Sequence, residues 1–242
     1  MASATGIPER VPPVSEQEPL LGRPGDATQK SEQWLAFNLW TGTGILAQVG
    51  VWVLAAMVWA AVFEHDVIFF SYHPLLQSAG VLLLVQAILI VQPTATQKQK
   101  RDGTWAHSAF NFLGVGALVA GIVVIELNKA PHPDQRFKSN HGILGIVTFG
   151  LICVQALVGF VQYWTPALVG GTENGKAIYK YHRVSGYVIL VLALATVATA
   201  TQTGFNKNVL GLRLWAVTVT IVLVLIGIVP RIKLAKLGRI GS

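Results

Sequence analysis

Charged residues are missing from six long apolar stretches of the chain. Uncharged runs of 31, 31, 23, 34 and 23 residues cover residues 33–63, 67–97, 103–125, 139–172 and 184–206, and a run of 17 covers residues 214–230. About 20 apolar residues are enough for a helix to span a bilayer. The pattern predicts six transmembrane helices, at residues 38–63, 72–93, 105–126, 141–163, 182–203 and 210–230.

No alternation typical of strands competes with these helices, so the predicted fold class is an all-α membrane protein. Short connections predict a single bundle in which sequence neighbours are antiparallel. The predicted organisation is a disordered N-terminal tail (1–37), a transmembrane domain (38–230) and a basic C-terminal tail (231–242).

Composition excludes several other classes of protein. Hydrophobic residues make up 52% of the chain and charged residues 12%, whereas soluble domains have about 25% charged residues. A soluble enzyme and a nucleic-acid-binding domain are therefore excluded, and no nucleic-acid partner is expected. Cys153 is the single cysteine, which excludes a disulfide scaffold and a CxxC site.

The distribution of positive charge predicts the orientation in the membrane. Thirteen lysines and arginines fall on the side that carries both termini, and five fall on the other. Both termini are therefore expected to be cytosolic. The thirteen are Arg10, Arg23, Lys30, Lys98, Lys100, Arg101, Lys176, Lys180, Arg183, Arg231, Lys233, Lys236 and Arg239.

The polar N-terminal tail does not resemble a cleavable signal peptide. Residues 16–21 read Glu-Gln-Glu-Pro-Leu-Leu, which is similar to an acidic dileucine sorting signal. Such a signal favours an endomembrane location (vacuole, lysosome, endosome or ER) over the plasma membrane. A tail without a signal explains the same six residues equally well.

Four of the six histidines lie at predicted helix entrances: His73, His107, His141 and His182. Consecutive helices run in opposite directions, so His73 and His141 are expected near the non-cytosolic face and His107 and His182 near the cytosolic face. An imidazole from each of two helices is what a six-coordinate haem requires, one above the iron and one below.

Glycines follow these histidines at matched intervals. Gly80 and Gly114 come seven residues after the first two, and Gly145 and Gly186 four residues after the last two. We expect them to leave space for a flat macrocycle. A single histidine is more often an interfacial residue than a ligand, and solvated loop positions are expected for His65 and His132.

Several motifs resemble those of the cytochrome b561 family of six-helix di-haem membrane reductases. They are Tyr72-His73-Pro74, the basic stretch Lys98–Arg101 before Ala106-His107-Ser108, Phe137-Lys138-Ser139-Asn140-His141-Gly142, and Tyr181-His182-Arg183 with Gly186. The resemblance covers about residues 38–230 and is strongest for the short b561-domain-containing branch. One difference is Gln77, which stands where the family has a methionine.

The resemblance implies two haem b cofactors, one held by His73 and His141 on the non-cytosolic side and one by His107 and His182 on the cytosolic side. It also implies electron transfer from cytosolic ascorbate to monodehydroascorbate or a ferric chelate, and a homodimer. These expectations describe an ascorbate-dependent ferric or monodehydroascorbate reductase.

Basic residues and aromatics near the two faces are the candidates for substrate binding. On the cytosolic side they are Lys98, Lys100, Arg101, Tyr163, Lys180 and Arg183, and on the other side Arg136, Phe137 and Lys138. Cationic groups attract an enediolate or a propionate. As an alternative, each cation serves only to orient the helices.

Other functions remain as alternatives at the level of sequence. A b561 fold that uses superoxide or a quinol shares every feature above, and a non-enzymatic membrane protein with structural histidines is disfavoured by their pattern. An oxidase-type reductase with two ligands on one helix is excluded, because no two of the four histidines share a predicted helix. A transporter lacks support, since no paired broken helices or carboxylates deep in a span occur.

Overall fold

The computed structural model describes residues 27–233 as a bundle of helices, with no strand in that range. The six long helices are α1 (Gly44–Phe63), α2 (Tyr72–Val91), α3 (Gln97–Lys129), α4 (Asn140–Trp164), α5 (Thr172–Ala200) and α6 (Leu214–Ile228). Each helix, α6 together with the short turn that follows it, is long and apolar enough to cross a membrane. The predicted all-α fold with six transmembrane helices is confirmed. The dileucine-like sequence at residues 16–21 lies outside the described residues.

Hydrogen bonds between α1 and α2 establish that these two sequence neighbours are antiparallel. Gln48 of α1 and Gln86 of α2 exchange side-chain hydrogen bonds of 2.6 and 3.1 Å. Near the other end of the same pair, Trp59 donates to Ser78 (2.9 Å). Buried amide pairs of this kind stabilise helix association in an apolar solvent.

Helix α6 packs against α1, closing the bundle. Gly50 and Gly227 lie where the two backbones come close: a Cβ on Gly50 would be 2.6 Å from the carbonyl oxygen of Thr220, and one on Gly227 would collide with Ala47. Small residues permit this approach. The core around the contact contains Val51, Leu89, Leu194, Val224 and Ile228.

Helix α1 begins later than predicted, at Gly44 instead of residue 38. Leu35–Leu39 form a separate 3₁₀ turn, and Gly42 follows with a φ of +57°, a left-handed conformation that breaks the helix and suits glycine. Trp34, Phe37 and Trp40 of this segment are exposed, as is typical of aromatics at a membrane interface.

Helix α3 begins eight residues earlier than predicted, at Gln97, and helix α5 begins ten residues earlier, at Thr172. Thr96 accepts a hydrogen bond from the Gln99 backbone, and the Gln99 side chain accepts one from the Thr96 backbone; this capping box starts α3. Helix α5 begins after Gly170 and Gly171. At 33 residues, α3 is about 50 Å long and exceeds the ~30 Å hydrocarbon core. Polar residues that the hydrophobic pattern assigned to loops are therefore helical.

These extensions gather positive charge at one end of the bundle, which we call the basic end. It comprises the starts of α1, α3 and α5 and the ends of α2, α4 and α6. Arg231 is the first residue of the segment predicted as a basic C-terminal tail. Its side chain is buried, with 2% of its surface exposed.

Candidate functional site

The structure brings the four histidines together in the two pairs expected from topology. The rings of His73 and His141, the outer pair, have centroids 6.3 Å apart and planes at 84°. The rings of His107 and His182, the inner pair, are 6.4 Å apart with planes at 78°. Each pair joins the α2–α3 hairpin to the α4–α5 hairpin.

The two pairs occupy different depths in their helices. His73 and His141 are the second residues of α2 and α4. His107 and His182 are instead ten residues beyond the starts of α3 and α5. The prediction that these two histidines open their helices is therefore wrong, because the helices continue past the apolar segment toward the basic end.

Three of the four imidazoles donate a hydrogen bond from Nδ1 to a backbone carbonyl of the neighbouring helix. His73 donates to Gly121 (2.9 Å), His107 to Ala87 (2.7 Å) and His141 to Thr196 (2.9 Å). A carbonyl oxygen only accepts, so Nδ1 carries the proton and Nε2 keeps its lone pair. This is the tautomer that a metal-ligating imidazole needs.

Each carbonyl that accepts one of these hydrogen bonds belongs to a residue fourteen positions after another of the paired histidines, on the same helix. Ala87 lies fourteen residues after His73, Gly121 fourteen after His107, and Thr196 fourteen after His182. Fourteen residues are close to four helical turns, so both positions lie on one face and about 21 Å apart along the axis. The inner and outer pairs are therefore separated by about 21 Å along the bundle.

His182 is the exception to this pattern. Its Nδ1 is buried without a hydrogen-bond partner among the described residues. The ring instead packs against Gly159 of α4, where a Cβ would lie 2.8 Å from Cε1 of His182. The backbone carbonyl of His182 accepts a hydrogen bond from Gln155 (2.5 Å). Packing thus orients a ring that hydrogen bonding orients in the other three histidines.

The geometry of each pair fits a single metal ion between two imidazoles. Metal–imidazole bonds are about 2 Å long, so rings on opposite sides of one ion have centres about 6 to 6.5 Å apart. No cluster of three or more His, Cys, Asp or Glu that could hold a metal occurs among residues 27–233. Two imidazoles of this kind could hold the iron of a haem, whose macrocycle would supply the other ligands.

A cavity of about 1530 Å³ contains the inner pair. Its walls are largely apolar, with Leu84, Ile88, Val115, Ile152, Phe160 and Ile189 among the lining residues. Volumes of this size accommodate large organic ligands. The site around His107 and His182 thus has both the ligands and the space for a macrocycle, and we call it the inner cavity.

The glycines that follow the histidines serve two purposes. A Cβ on Gly80 would lie 3.1 Å from the carbonyl oxygen of Gly114, and one on Gly114 would lie 3.3 Å from that of Gly80. These two glycines permit α2 and α3 to pack closely, and the prediction that they clear space for a macrocycle is wrong. Gly186 does line the inner cavity.

Four of the candidate substrate residues line the inner cavity: Lys100, Tyr163, Lys180 and Arg183. Tyr163 stacks edge-on with Trp164 (5.1 Å), and Trp164 contacts Trp105 of α3 in the same way (4.3 Å). Cations and aromatics thus meet on the basic-end side of the inner pair.

The structure does not bring Lys98 and Arg101 into this cavity. Both form ion pairs with Asp102, at 2.9 and 3.2 Å, and their side chains are 80% and 64% exposed. They lie on the outside of the first turns of α3. The alternative interpretation of these two residues as orienting charges therefore suits their positions.

Residues near the outer pair occupy the loop between α3 and α4. Arg136 forms an ion pair with Glu126 (3.1 Å), and Phe137 has a φ of +52°, an uncommon conformation for a bulky residue. Lys138 is exposed. His65 and His132 are exposed loop residues, as predicted.

Two residues of the inner site, Lys176 and Gly159, are not among the candidate site residues predicted from the sequence. Lys176 lines the inner cavity together with Lys180 and Arg183. The spacing i, i+4, i+7 of these three residues places them on one helical face, a signal that was hidden while the segment was interpreted as a loop. Nothing in the local sequence singles out Gly159, because its partner His182 is on another helix.

Comparison with known proteins agrees with this architecture. The family model for eukaryotic cytochrome b561 matches residues 72–207, which is more than half of the chain and includes all four paired histidines. No match was found among curated proteins. The chain therefore belongs to the cytochrome b561 family of transmembrane, haem-dependent electron-transfer proteins.

Proposed function

We propose that this protein transfers electrons from cytosolic ascorbate, or a similar enediol, to an acceptor across the membrane, monodehydroascorbate or a ferric chelate. The inner pair and the outer pair would each hold one haem b, and these haems would supply the electron carriers. The observation that carries the proposal is the separation of the two histidine pairs by about 21 Å along the helices. A single site could not serve both faces of a ~30 Å apolar core.

The histidines hold the haem irons in this proposal. His73 and His141 would ligate one iron through Nε2, and His107 and His182 would ligate the other. Hydrogen bonds from Nδ1 to Gly121, Ala87 and Thr196 keep three rings in the ligating tautomer. Two haems bound in this way supply one-electron carriers without an open position for oxygen.

The donor binds at the basic end. Lys100, Lys176, Lys180 and Arg183 line the inner cavity and favour an anionic enediolate. Each ascorbate monoanion gives up one electron and one proton to become monodehydroascorbate. A lysine ammonium next to the enediol oxygens stabilises their deprotonated form, so the proton can pass to water before the electron leaves.

The basic end faces the cytosol in this proposal, as the excess of thirteen lysines and arginines over five supports. On the opposite face, Arg136, Phe137 and Lys138 form the acceptor site. A ferric chelate there gains one electron to become ferrous, whereas monodehydroascorbate gains one electron and one proton. Cations suit both acceptors, because the chelate and the radical are anionic.

An endomembrane location and a homodimer complete the proposal. The location rests on the dileucine-like sequence at residues 16–21. Replacing Leu20 and Leu21 by alanine should move the protein to the plasma membrane, as observed by microscopy of the tagged full chain. Light scattering in detergent distinguishes a dimer from a monomer.

The test of the proposed function is a haem-to-protein ratio with visible spectra of the oxidised and ascorbate-reduced protein. We expect two low-spin haems b per chain, both reduced by ascorbate. Reduction by a quinol or superoxide but not by ascorbate would keep the electron-transfer role and exchange the donor. A folded preparation without haem, from haem-replete cells, would overturn the proposal.

A further inference from the structure

Arg231 is a buried cation with unused hydrogen-bonding capacity. It ends the short turn Val229–Arg231 after α6. Its Nη2 donates to the carbonyl oxygens of Asn38 (2.6 Å) and Leu89 (3.2 Å). Its Nε and Nη1 are buried and have no hydrogen-bond partner among the described residues.

The charge of Arg231 is not balanced by an ion pair within residues 27–233. A guanidinium group does not lose its proton under ordinary conditions, so it remains charged in this apolar setting. The carbonyls of Asn38 and Leu89 provide partial negative charge, as the ends of helices do. They leave the N–H groups of Nε and Nη1 without a partner, and buried charges are normally paired as well as hydrogen-bonded.

The inner cavity extends to this arginine. Arg231, Gln92 and Tyr187 are all among its lining residues, as are His107 and His182. The side chain of Gln92 donates to the hydroxyl of Tyr187 (3.2 Å) and to the carbonyl of Ile228 (3.1 Å). Because the Tyr187 hydroxyl accepts from Gln92, its own proton is available to a ligand.

We propose that Arg231, assisted by Tyr187, binds a carboxylate in the inner cavity. We assign this carboxylate to a propionate of the haem held by His107 and His182. The inference rests on the proposed haem site, which it deepens by naming a residue for the porphyrin's acidic edge. The Nε–H group lies on the Nη2 edge of the guanidinium, and Nη1 packs against Gly44, so Nε is the donor left for a charge-assisted hydrogen bond to this carboxylate.

A resident carboxylate explains the burial better than a substrate does. Ascorbate would balance the charge only while bound, whereas a propionate stays with the haem. The cations expected to meet a diffusing substrate, such as Lys176 and Lys180, are more exposed than Arg231. A buried and otherwise unpaired arginine therefore indicates a permanent partner.

The test compares Arg231→Gln, Arg231→Lys and the unchanged chain, each loaded with native haem or with haem dimethyl ester, whose propionates are blocked. With native haem, we expect Arg231→Gln to release the inner haem about tenfold faster and to lower its midpoint potential, because a nearby positive charge is lost. Arg231→Lys should partly restore both. With the ester, the variants should release the inner haem at the same rate.

Outcomes separate this inference from the proposed function. If the unchanged chain binds no haem, the proposed function fails. If it binds two and Arg231→Gln changes neither release nor potential of the inner haem, only the assignment of Arg231 fails. If Arg231→Gln speeds the release of native haem and of the dimethyl ester equally, Arg231 has a structural role. If the variant only raises the KM for ascorbate, Arg231 binds a substrate carboxylate. Either result would overturn the assignment of Arg231 to a haem propionate.

The outer haem controls for folding in each variant. Arg231→Gln could lose both haems because the contacts to Asn38 and Leu89 are broken. In that case the unchanged chain, loaded with native haem or with the dimethyl ester, tests the inference. It should hold the dimethyl ester less tightly than native haem at the inner pair. Equal affinity there would overturn the inference.

Discussion

The imidazole of His182 packs against Gly159 of the facing helix, where a Cβ atom would lie 2.8 Å from its Cε1. The other three paired histidines are oriented by a hydrogen bond from Nδ1 to a carbonyl. The orientation of His182 in the inner pair therefore depends on the absence of a side chain at position 159.

We expect Gly159→Ala to displace His182 and to remove most of the inner haem while the outer haem remains. Alanine favours a helix over glycine by about 1 kcal/mol, so any loss must come from the collision. Gly150→Ala on the same helix is the control, because a Cβ there has open space. Visible spectra and haem-to-protein ratios measure both variants. Full retention of the inner haem in Gly159→Ala would contradict the assigned role of this contact.

Removing one histidine of the inner pair should affect the inner haem and not the outer haem. We expect His107→Ala to lose the inner haem, to retain the outer haem, and to lose rapid reduction by ascorbate supplied at the basic end. His132→Ala, at an exposed loop position, should behave like the unchanged protein. Stopped-flow reduction together with haem quantification distinguishes these results. Equal loss of both haems from His107→Ala would mean that the sites fold together or that the pairing is different.

Cations on the cavity face of α5 should affect the donor and not the haem. For Lys180→Ala we expect a KM for ascorbate raised about tenfold, the effect of losing one charge-assisted hydrogen bond, with both haems retained. Lys98→Ala is the control, since Lys98 is 80% exposed and paired with Asp102. Initial rates of haem reduction across ascorbate concentrations provide the KM. Similar small changes in both variants would indicate that Lys180 contributes only to the overall positive charge.

The contact between α1 and α6 should contribute to stability independently of the haems. A Cβ on Gly227 would collide with Ala47, so Gly227→Ala should lower the free energy of unfolding by about 1 to 3 kcal/mol, as overpacking generally does. Gly204→Ala is the control, because a Cβ there meets nothing within 4 Å. Thermal unfolding of the detergent-solubilised protein compares the variants. An unchanged transition in Gly227→Ala would show that α6 moves to accommodate the methyl group at little cost.

Much of the site is predictable from sequence because its determinants are periodic. Apolar runs define six spans, and alternation of helix direction sorts four histidines into two faces. The fourteen-residue interval from His73 to Ala87 and from His107 to Gly121 is also a sequence property. The sequence does not show, however, that Ala87 and Gly121 accept hydrogen bonds from histidines. Any residue has a backbone carbonyl, so the acceptors are known only once the adjacent helices are known.

Helix starts were predicted less well than helix centres. Hydrophobicity reports where a helix enters the apolar core, whereas a polar helix such as the first turns of α3 is stabilised by its capping box and continues into water. As a result, Lys176 and Lys180 fall outside the predicted fifth helix, although they share one face of α5 with Arg183.

The sequence by itself determined the class of protein, the six spans and the two histidine pairs, because the bilayer imposes length and composition on every helix. Only the tertiary structure decided which glycines contact a histidine and which contact a helix, and it alone buried Arg231 beside the inner cavity. Those properties arise where helices distant in sequence meet, and packing between such helices follows shape and unsatisfied polar groups that no local pattern records.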